Sequence, residues 1–302
     1  MLLWQQREPV LDLLVVASAT TRRMIVLEPE RIVFYVAPLG GDANSWKSEQ
    51  EYSITHGRSF PRDMRGRLLL GAAIGADHLF VAFLPGVQCS GDSRDGQLAI
   101  ACDDGDDPWP TPGFTAVATN IEPDAAQTPP PVEQRAFYNS ARNYFSGVLS
   151  PGGNFRLPPF YSAVPVVRLS GTALVLSGID GKFALLESGS LKRLSGTRDW
   201  GSDLAAIRSS CGSGTQGFGT QILASSSGTA YPDSLRAYEV SGREASPVSP
   251  PLEMNGAITA IWPSTDAGEA TVIIRRGESA VAGTTSPQQE DYEVVRVSAH
   301  CN

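Results

Sequence analysis

The residues with the plainest chemical potential are four cysteines, a run of aspartates and four tryptophans. Cys89, Cys102, Cys211 and Cys301 are even in number, and none belongs to a CxxC pair. Two disulfides fit such a set. Cys89 and Cys102 would close a short, hairpin-sized loop, whereas Cys211 and Cys301 would have to meet across the fold. The alternative is four free thiols in a reducing compartment. Zinc is disfavoured, because the cysteines are far apart and the histidines are only His56, His78 and His300.

Between Cys89 and Asp107 stand Asp92, Asp95, Asp103, Asp104, Asp106 and Asp107, opposed only by Arg94. Carboxylates gathered on turns suit calcium, which takes about six to eight oxygen ligands, so Asp103, Asp104, Asp106 and Asp107 are the candidate metal residues. The D-x-[DN]-x-[DN]-G loop with its distal glutamate is absent, however, and a solvated acidic loop accounts for the same residues. The expectation is therefore no cofactor, with calcium the single metal to consider.

Trp46, Trp109, Trp200 and Trp262 fall at or near expected loop ends, beside Pro108, Pro110, Gly201 and Pro263. Rings on loops can line a binding surface, and they can equally pack between sheets. Gly212-Ser-Gly-Thr-Gln-Gly217 matches the dinucleotide pattern GxGxxG. That chemistry needs a helix after the glycines to hold the pyrophosphate, and the residues from Phe218 onward alternate like a strand. The match reads as a glycine-rich connection. There is no GxSxG elbow and no HExxH helix. Asp77-His78, at the head of a strand, is the nearest local acid–histidine grouping, and it reads as a paired surface or loop histidine.

These residues have to be positioned by strands. Short apolar or alternating runs bounded by Gly, Asp, Asn, Ser and Pro recur throughout: Leu11–Ser18, Arg23–Glu28, Arg31–Ala37, Arg67–Ala72, His78–Leu84, Gln97–Cys102, Phe160–Val167 and onward to Tyr292–Val297. The first strands of successive units begin near 11, 67, 113, 160, 203 and 257, a period of roughly 45–50 residues, which is the length of a four-stranded propeller blade. The expected fold is all-β: a single β-propeller domain over residues 1–302 with six four-stranded blades, five or seven being the alternatives. The last unit lacks an outermost strand, and Leu2–Arg7 has no other partner. This N-terminal strand is expected to complete the last blade and close the ring. Ile121–Val132, with Pro123, Pro129, Pro130 and Pro131, reads as an extended surface loop. Glu133–Gly147 suits a short helix and a strand about equally.

Composition bounds the function. The chain has 30 Gly and 22 Pro among 302 residues, with 41% hydrophobic and 19% charged, which suits a globular fold poor in helix. Its net charge of −8 argues against broad binding to nucleic acid or anionic lipid. No transmembrane segment is expected, because the longest apolar stretch, Leu68 to Val87, carries Asp77 and His78 near its middle. The start lacks a basic and apolar leader pattern.

Several segments carry a family resemblance. Asp199-Trp-Gly-Ser-Asp-Leu-Ala-Ala-Ile-Arg-Ser-Ser-Cys-Gly-Ser-Gly and Asp233-Ser-Leu-Arg-Ala-Tyr-Glu-Val resemble uncharacterised secreted bacterial β-propellers labelled as FG-GAP or VCBS repeat proteins. Gly256-Ala-Ile-Thr-Ala-Ile-Trp, Phe83-Leu-Pro-Gly-Val-Gln-Cys and Asp106-Asp-Pro-Trp-Pro continue the likeness. The resemblance implies a propeller in an extracytoplasmic compartment, periplasmic or cell-surface, with its cysteines disulfide-bonded. The Asp-rich calcium loops of FG-GAP proteins are missing here, so no metal role carries over, and the family supplies no established activity.

Two functions follow as expectations. The leading one is a non-catalytic binding or scaffolding propeller with a protein partner, including as an accessory subunit of an envelope or membrane-attached complex. The alternative is a hydrolase or lyase acting on polysaccharide, with carboxylates on the central face and the tryptophan loops stacking on sugar rings.

Overall fold

A computed structural model describes residues 1–17, 20–56, 65–71, 78–94, 97–104, 109–110, 134–139, 144–149, 157–168, 171–187, 190–196, 200–208, 220–226, 232–263, 268–276 and 291–298. Apart from a 3-10 turn at Ala43–Ser45, the elements among these residues are strands. The fold class is all-β, as expected.

The strands form five antiparallel sheets. Strand β1 (Leu2–Gln6) opens the chain. The first sheet is β2 (Asp12–Ala17), β3 (Thr21–Leu27), β4 (Arg31–Pro38) and β5 (Lys47–Ser53), in that order. The second is β6 (Arg67–Leu70), β7 (Phe80–Leu84), β8 (Val87–Arg94) and β9 (Gln97–Asp104). The third runs through β10 (Trp109–Pro110), β11 (Gln134–Asn139), β12 (Tyr144–Leu149), β13 (Phe160–Arg168), β14 (Gly171–Gly178), β15 (Phe183–Glu187) and β16 (Ser190–Arg193). The fourth holds β17 (Trp200–Arg208), β18 (Thr220–Ser226), β19 (Ser234–Ser241) and β20 (Glu244–Pro247), with β21 (Leu252–Glu253) also on β19. The fifth has the order β1, β24 (Asp291–Ser298), β23 (Glu269–Arg276), β22 (Ala257–Pro263). Successive four-stranded antiparallel sheets are the unit from which β-propellers are built.

Five sheets replace the six expected. The difference lies in the third, where Phe145 of β12 pairs with Phe160 of β13, so that strands assigned to two separate units share one seven-stranded sheet. The two rings stack with centroids 5.9 Å apart. The segment open to a helix or a strand is β11 and β12. The proline-rich segment 121–132 lies outside the described residues. After the Gly212–Gly217 segment, itself outside them, comes strand β18 and no helix, as read from the sequence.

The N-terminal strand does pair with the last one. Leu2 faces Val295, Trp4 faces Val294, Gln5 faces Glu293 and Gln6 faces Tyr292, with a bulge between Leu2 and Trp4. A fifth sheet of three strands thereby gains its fourth.

Two compact units can be distinguished: Met1–Asp107 with Ile273–Val295, and Pro108–Val272 with Arg296–Asn302. In the first, alternation turns Ile25, Leu27, Ile32 and Phe34 of the first sheet toward Leu68, Phe80, Ala82 and Leu84 of the second. Phe34 meets Phe80 at 5.8 Å. Phe80 lies across from Gly91 of β8, where a Cβ would fall inside its ring, so only glycine fits there. In the second unit, Val164, Val175, Phe183 and Leu185 pack with Leu204, Ile222, Ala224 and Tyr238. Each such large side chain contributes about 1.5–3 kcal/mol by leaving water.

Sheets are also tied by buried polar contacts. The N–H of Leu68 donates to Asp12 Oδ2 (2.8 Å), that of Leu204 to Ser162 Oγ (3.2 Å), and that of Ile258 to Asp233 Oδ2 (2.8 Å). Leu68 and Ile258 are each the second residue of their strand and Leu204 is central in β17, and each is a buried backbone donor that needs an acceptor. Asp12 and Asp233 are 0% and 6% exposed.

Outer edges are guarded. β5 carries Lys47, Glu49 and Glu51 in an almost wholly exposed strand, and β20 ends in Pro247. Beyond β20 the chain of the preceding sheet adds a short parallel bridge: Ser195 N–H donates to Arg243 O (2.9 Å) and Ala245 N–H to Ser195 O (3.0 Å). Gly196 makes this approach possible, with φ +88° and Ala245 O 2.5 Å from where a Cβ would stand.

Candidate interaction surface

Trp46 closes the turn between β4 and β5. That turn is rigid for local reasons. Asp42 Oδ1 accepts the Asn44 N–H (3.0 Å), Ser45 Oγ donates to the Asp42 carbonyl (2.6 Å), and Leu39 N–H reaches Thr20 O (3.1 Å). From β3, Arg22 donates to the Gly41 carbonyl and lays its guanidinium 5.0 Å from the centre of the half-buried Trp46 ring. Such a cation–π contact contributes about 0.5–2 kcal/mol. Leu39, at the shoulder of the same turn, is 55% exposed. An exposed leucine, a tryptophan face and a cation on one preorganised turn can hold a partner by contact.

The other tryptophans occupy different places. Trp109 lies in β10 opposite Ala136, Trp200 opens β17 opposite Ser226, and Trp262 is half-buried next to the end of β22. These three belong to the second unit and Trp46 to the first.

Cys89 and Cys102 face each other directly on β8 and β9 and are joined by a disulfide, with Cα atoms 4.0 Å apart. Cys89 is buried in the core and Cys102 is exposed. Cys211 and Cys301 lie outside the described residues. Asp103 and Asp104 are exposed at the end of β9, and Asp106 and Asp107 also fall outside them. Among the described residues no group of three or more His, Cys, Asp or Glu is arranged to hold a metal ion. His78 Nδ1 lies 3.0 Å from Asp92 Oδ1 at the surface. No helix among the described residues is long and apolar enough to cross a membrane.

A second cluster, invisible to sequence reasoning, forms where β1 meets the first sheet. Trp4 packs on Tyr35 at 4.6 Å, and Gln6 Nε2 donates to Glu28 Oε1 (3.0 Å). Glu28 also accepts from Arg31, whose guanidinium lies 3.2 Å from Glu51. The hydrogen bond to Glu28 raises the Arg31 pKa above its already high value, and burial raises that of Tyr35. Nothing in Leu2-Leu-Trp-Gln-Gln6 singles out Trp4 and Gln6 for these contacts. The contacts fasten a strand, which is what a structural ion-pair network does.

No family model matches the chain, and no curated protein matches it. Among solved structures, a protein from Lactobacillus plantarum is similar over 93% of this chain and 87% of its own, at 14% identity and a TM-score of 0.39. The WD40 domain of SCAP from fission yeast is similar over 92% of this chain and 74% of its own, at 8% identity and a TM-score of 0.38.

Proposed function

We propose that this chain is a non-catalytic binding or scaffolding β-propeller, its five sheets completed by β1. In this reading it works outside the cytoplasm as an accessory subunit of an envelope or membrane-attached complex, with a protein as its partner. The observation that carries the binding role is the Leu39–Trp46 turn, which is held rigid from within and still leaves Leu39 in water. Preorganised apolar and aromatic anchors are what protein interfaces use, because little freedom is lost when they dock. The Cys89–Cys102 disulfide supports an oxidising compartment.

Affinity capture from native membranes tests the reading. The wild-type chain should bring down a reproducible partner, and Leu39→Asp should lose it while keeping the wild-type melting curve. A wild-type chain that elutes alone argues against a scaffold role. A partner retained by Leu39→Asp moves the contact elsewhere on the molecule.

A further inference from the structure

We infer that the segment taken by the Leu39–Trp46 turn is an acidic peptide, which sets a carboxylate on Arg22 and a bulky apolar side chain beside it. The inference rests on the reading of that turn as the binding surface and adds what the surface recognises.

Arg22 carries a charge that the chain leaves uncompensated. Its strand neighbour Arg23 pairs with Glu49, and Arg31 pairs with Glu28 and Glu51. Arg22 makes no ion pair among the described residues. Its Nη2 donates to the Gly41 carbonyl, its guanidinium lies on Trp46, and its Nε is buried with no acceptor. Nη1 has no hydrogen bond among the described residues and is not one of their buried polar atoms, so it is the donor left open to water. The aspartate of the same turn is turned to its own backbone, where Asp42 Oδ1 accepts the Asn44 N–H. A guanidinium sealed on one side by a ring and a carbonyl has already lost part of its hydration. A carboxylate arriving on the open side displaces little more water and gains a charge-assisted hydrogen bond.

The apolar half of the surface comes from two strands. Gln6 of β1 meets Glu28, Trp4 meets Tyr35, and β1 also lies against the Ala43–Ser45 turn. Leu2, 43% exposed, therefore stands at the same end of the sheet as Leu39. An arginine and a tryptophan with exposed leucines near them suit a mixed partner, one anion beside one apolar anchor. The net charge of −8 disfavours a phosphate backbone or an anionic membrane as the source of that anion. A single carboxylate on a short peptide meets less of this repulsion, because salt screens charges beyond about 8 Å.

The test selects a displayed random-peptide library on the folded full chain and measures the winning peptides, fluorescein-labelled, by anisotropy. The winners should carry aspartate or glutamate next to an aliphatic or aromatic residue. Changing that acid to its amide alters the probe and leaves the protein untouched, and it should weaken binding roughly tenfold. Arg22→Gln should weaken the acidic peptide by a similar factor, Arg22→Lys by less, and Leu39→Asp should abolish binding, each with the wild-type melting curve. The two losses should not add: the amide peptide should bind Arg22→Gln as well as it binds wild type. Peptides that need Leu39 yet bind equally well without their acid, or equally well to Arg22→Gln, overturn the acidic partner and leave the turn as a contact. A library that yields no Leu39-dependent peptide overturns it as well, while capture from native membranes still reads the binding role on its own.

Discussion

The carboxylate of Asp12, on the first strand of one sheet, accepts the backbone N–H of Leu68, on the first strand of the next, across 2.8 Å and 56 positions of sequence. Its other oxygen accepts the N–H of Leu13 (2.9 Å), and Arg67 Nη1 stands 3.8 Å away. One buried side chain thus satisfies two main-chain donors and joins two sheets. Ser162 with Leu204 and Asp233 with Ile258 repeat the inter-sheet half of the arrangement.

Replacing Asp12 by alanine therefore leaves two buried N–H groups without their acceptor. Each costs about 1–3 kcal/mol, so the variant should lose about 2–6 kcal/mol in urea unfolding. Asp12→Asn keeps one carbonyl oxygen and should lose less. Equal stability of Asp12→Ala and wild type would mean that the tie carries no energy.

Gly91 should tolerate no side chain. A methyl group there meets the Phe80 ring, which is itself packed on Phe34, so Gly91→Ala must push two aromatic rings out of place. Overpacking of this kind costs about 1–3 kcal/mol. A denaturant midpoint unchanged in Gly91→Ala would show that the ring has room to move.

Tyr238 sets an alkaline limit. Burial beside Phe183 pushes its pKa up to about 12, while Arg236 pulls the other way. The neutral phenol is the form the fold favours, so its contribution is complete below about pH 10, the unfolded pKa, and is lost as pH rises toward 12. Wild type should lose on the order of 2 kcal/mol across that window beyond what Tyr238→Phe loses. Parallel stability profiles for the two proteins would contradict the assignment.

The cysteines test the compartment. Reducing Cys89–Cys102 frees a separation of 13 residues, which in the chain-entropy model is worth about 3 kcal/mol. Non-reduced peptide mapping should also find Cys211 joined to Cys301. Four cysteines alkylated without reduction would sink both the pairing and the extracytoplasmic reading.

Much of the fold was legible because a strand's period of two is a local property. Leu11–Ser18 is β2 to within a residue at either end, and Tyr292–Val297 falls inside β24. The Cys89–Cys102 pair was legible because a short loop leaves few other partners. The merger of β12 with β13 was not, because it rests on one aromatic pair, Phe145 with Phe160, whose meeting depends on how two hairpins turn in space. The candidate surface was half legible. Trp46 announced itself, but Arg22 comes from a strand 24 positions earlier by number and reaches the ring only through sheet register. Asp12 gave no sign of its task, since nothing local distinguishes a buried aspartate from a turn residue.

β1 completes the last sheet by pairing with β24, and its Trp4 and Gln6 fasten it to Tyr35 and Glu28. Deleting residues 1–8 removes those contacts and bares the edge of β24. The direct measurement is the melting temperature of the truncated chain beside that of the full chain. It should fall on the order of 10 °C, as expected from losing several kcal/mol in a protein of this size. Coincident melting curves would contradict it, because a strand that completes the last sheet cannot be removed without cost.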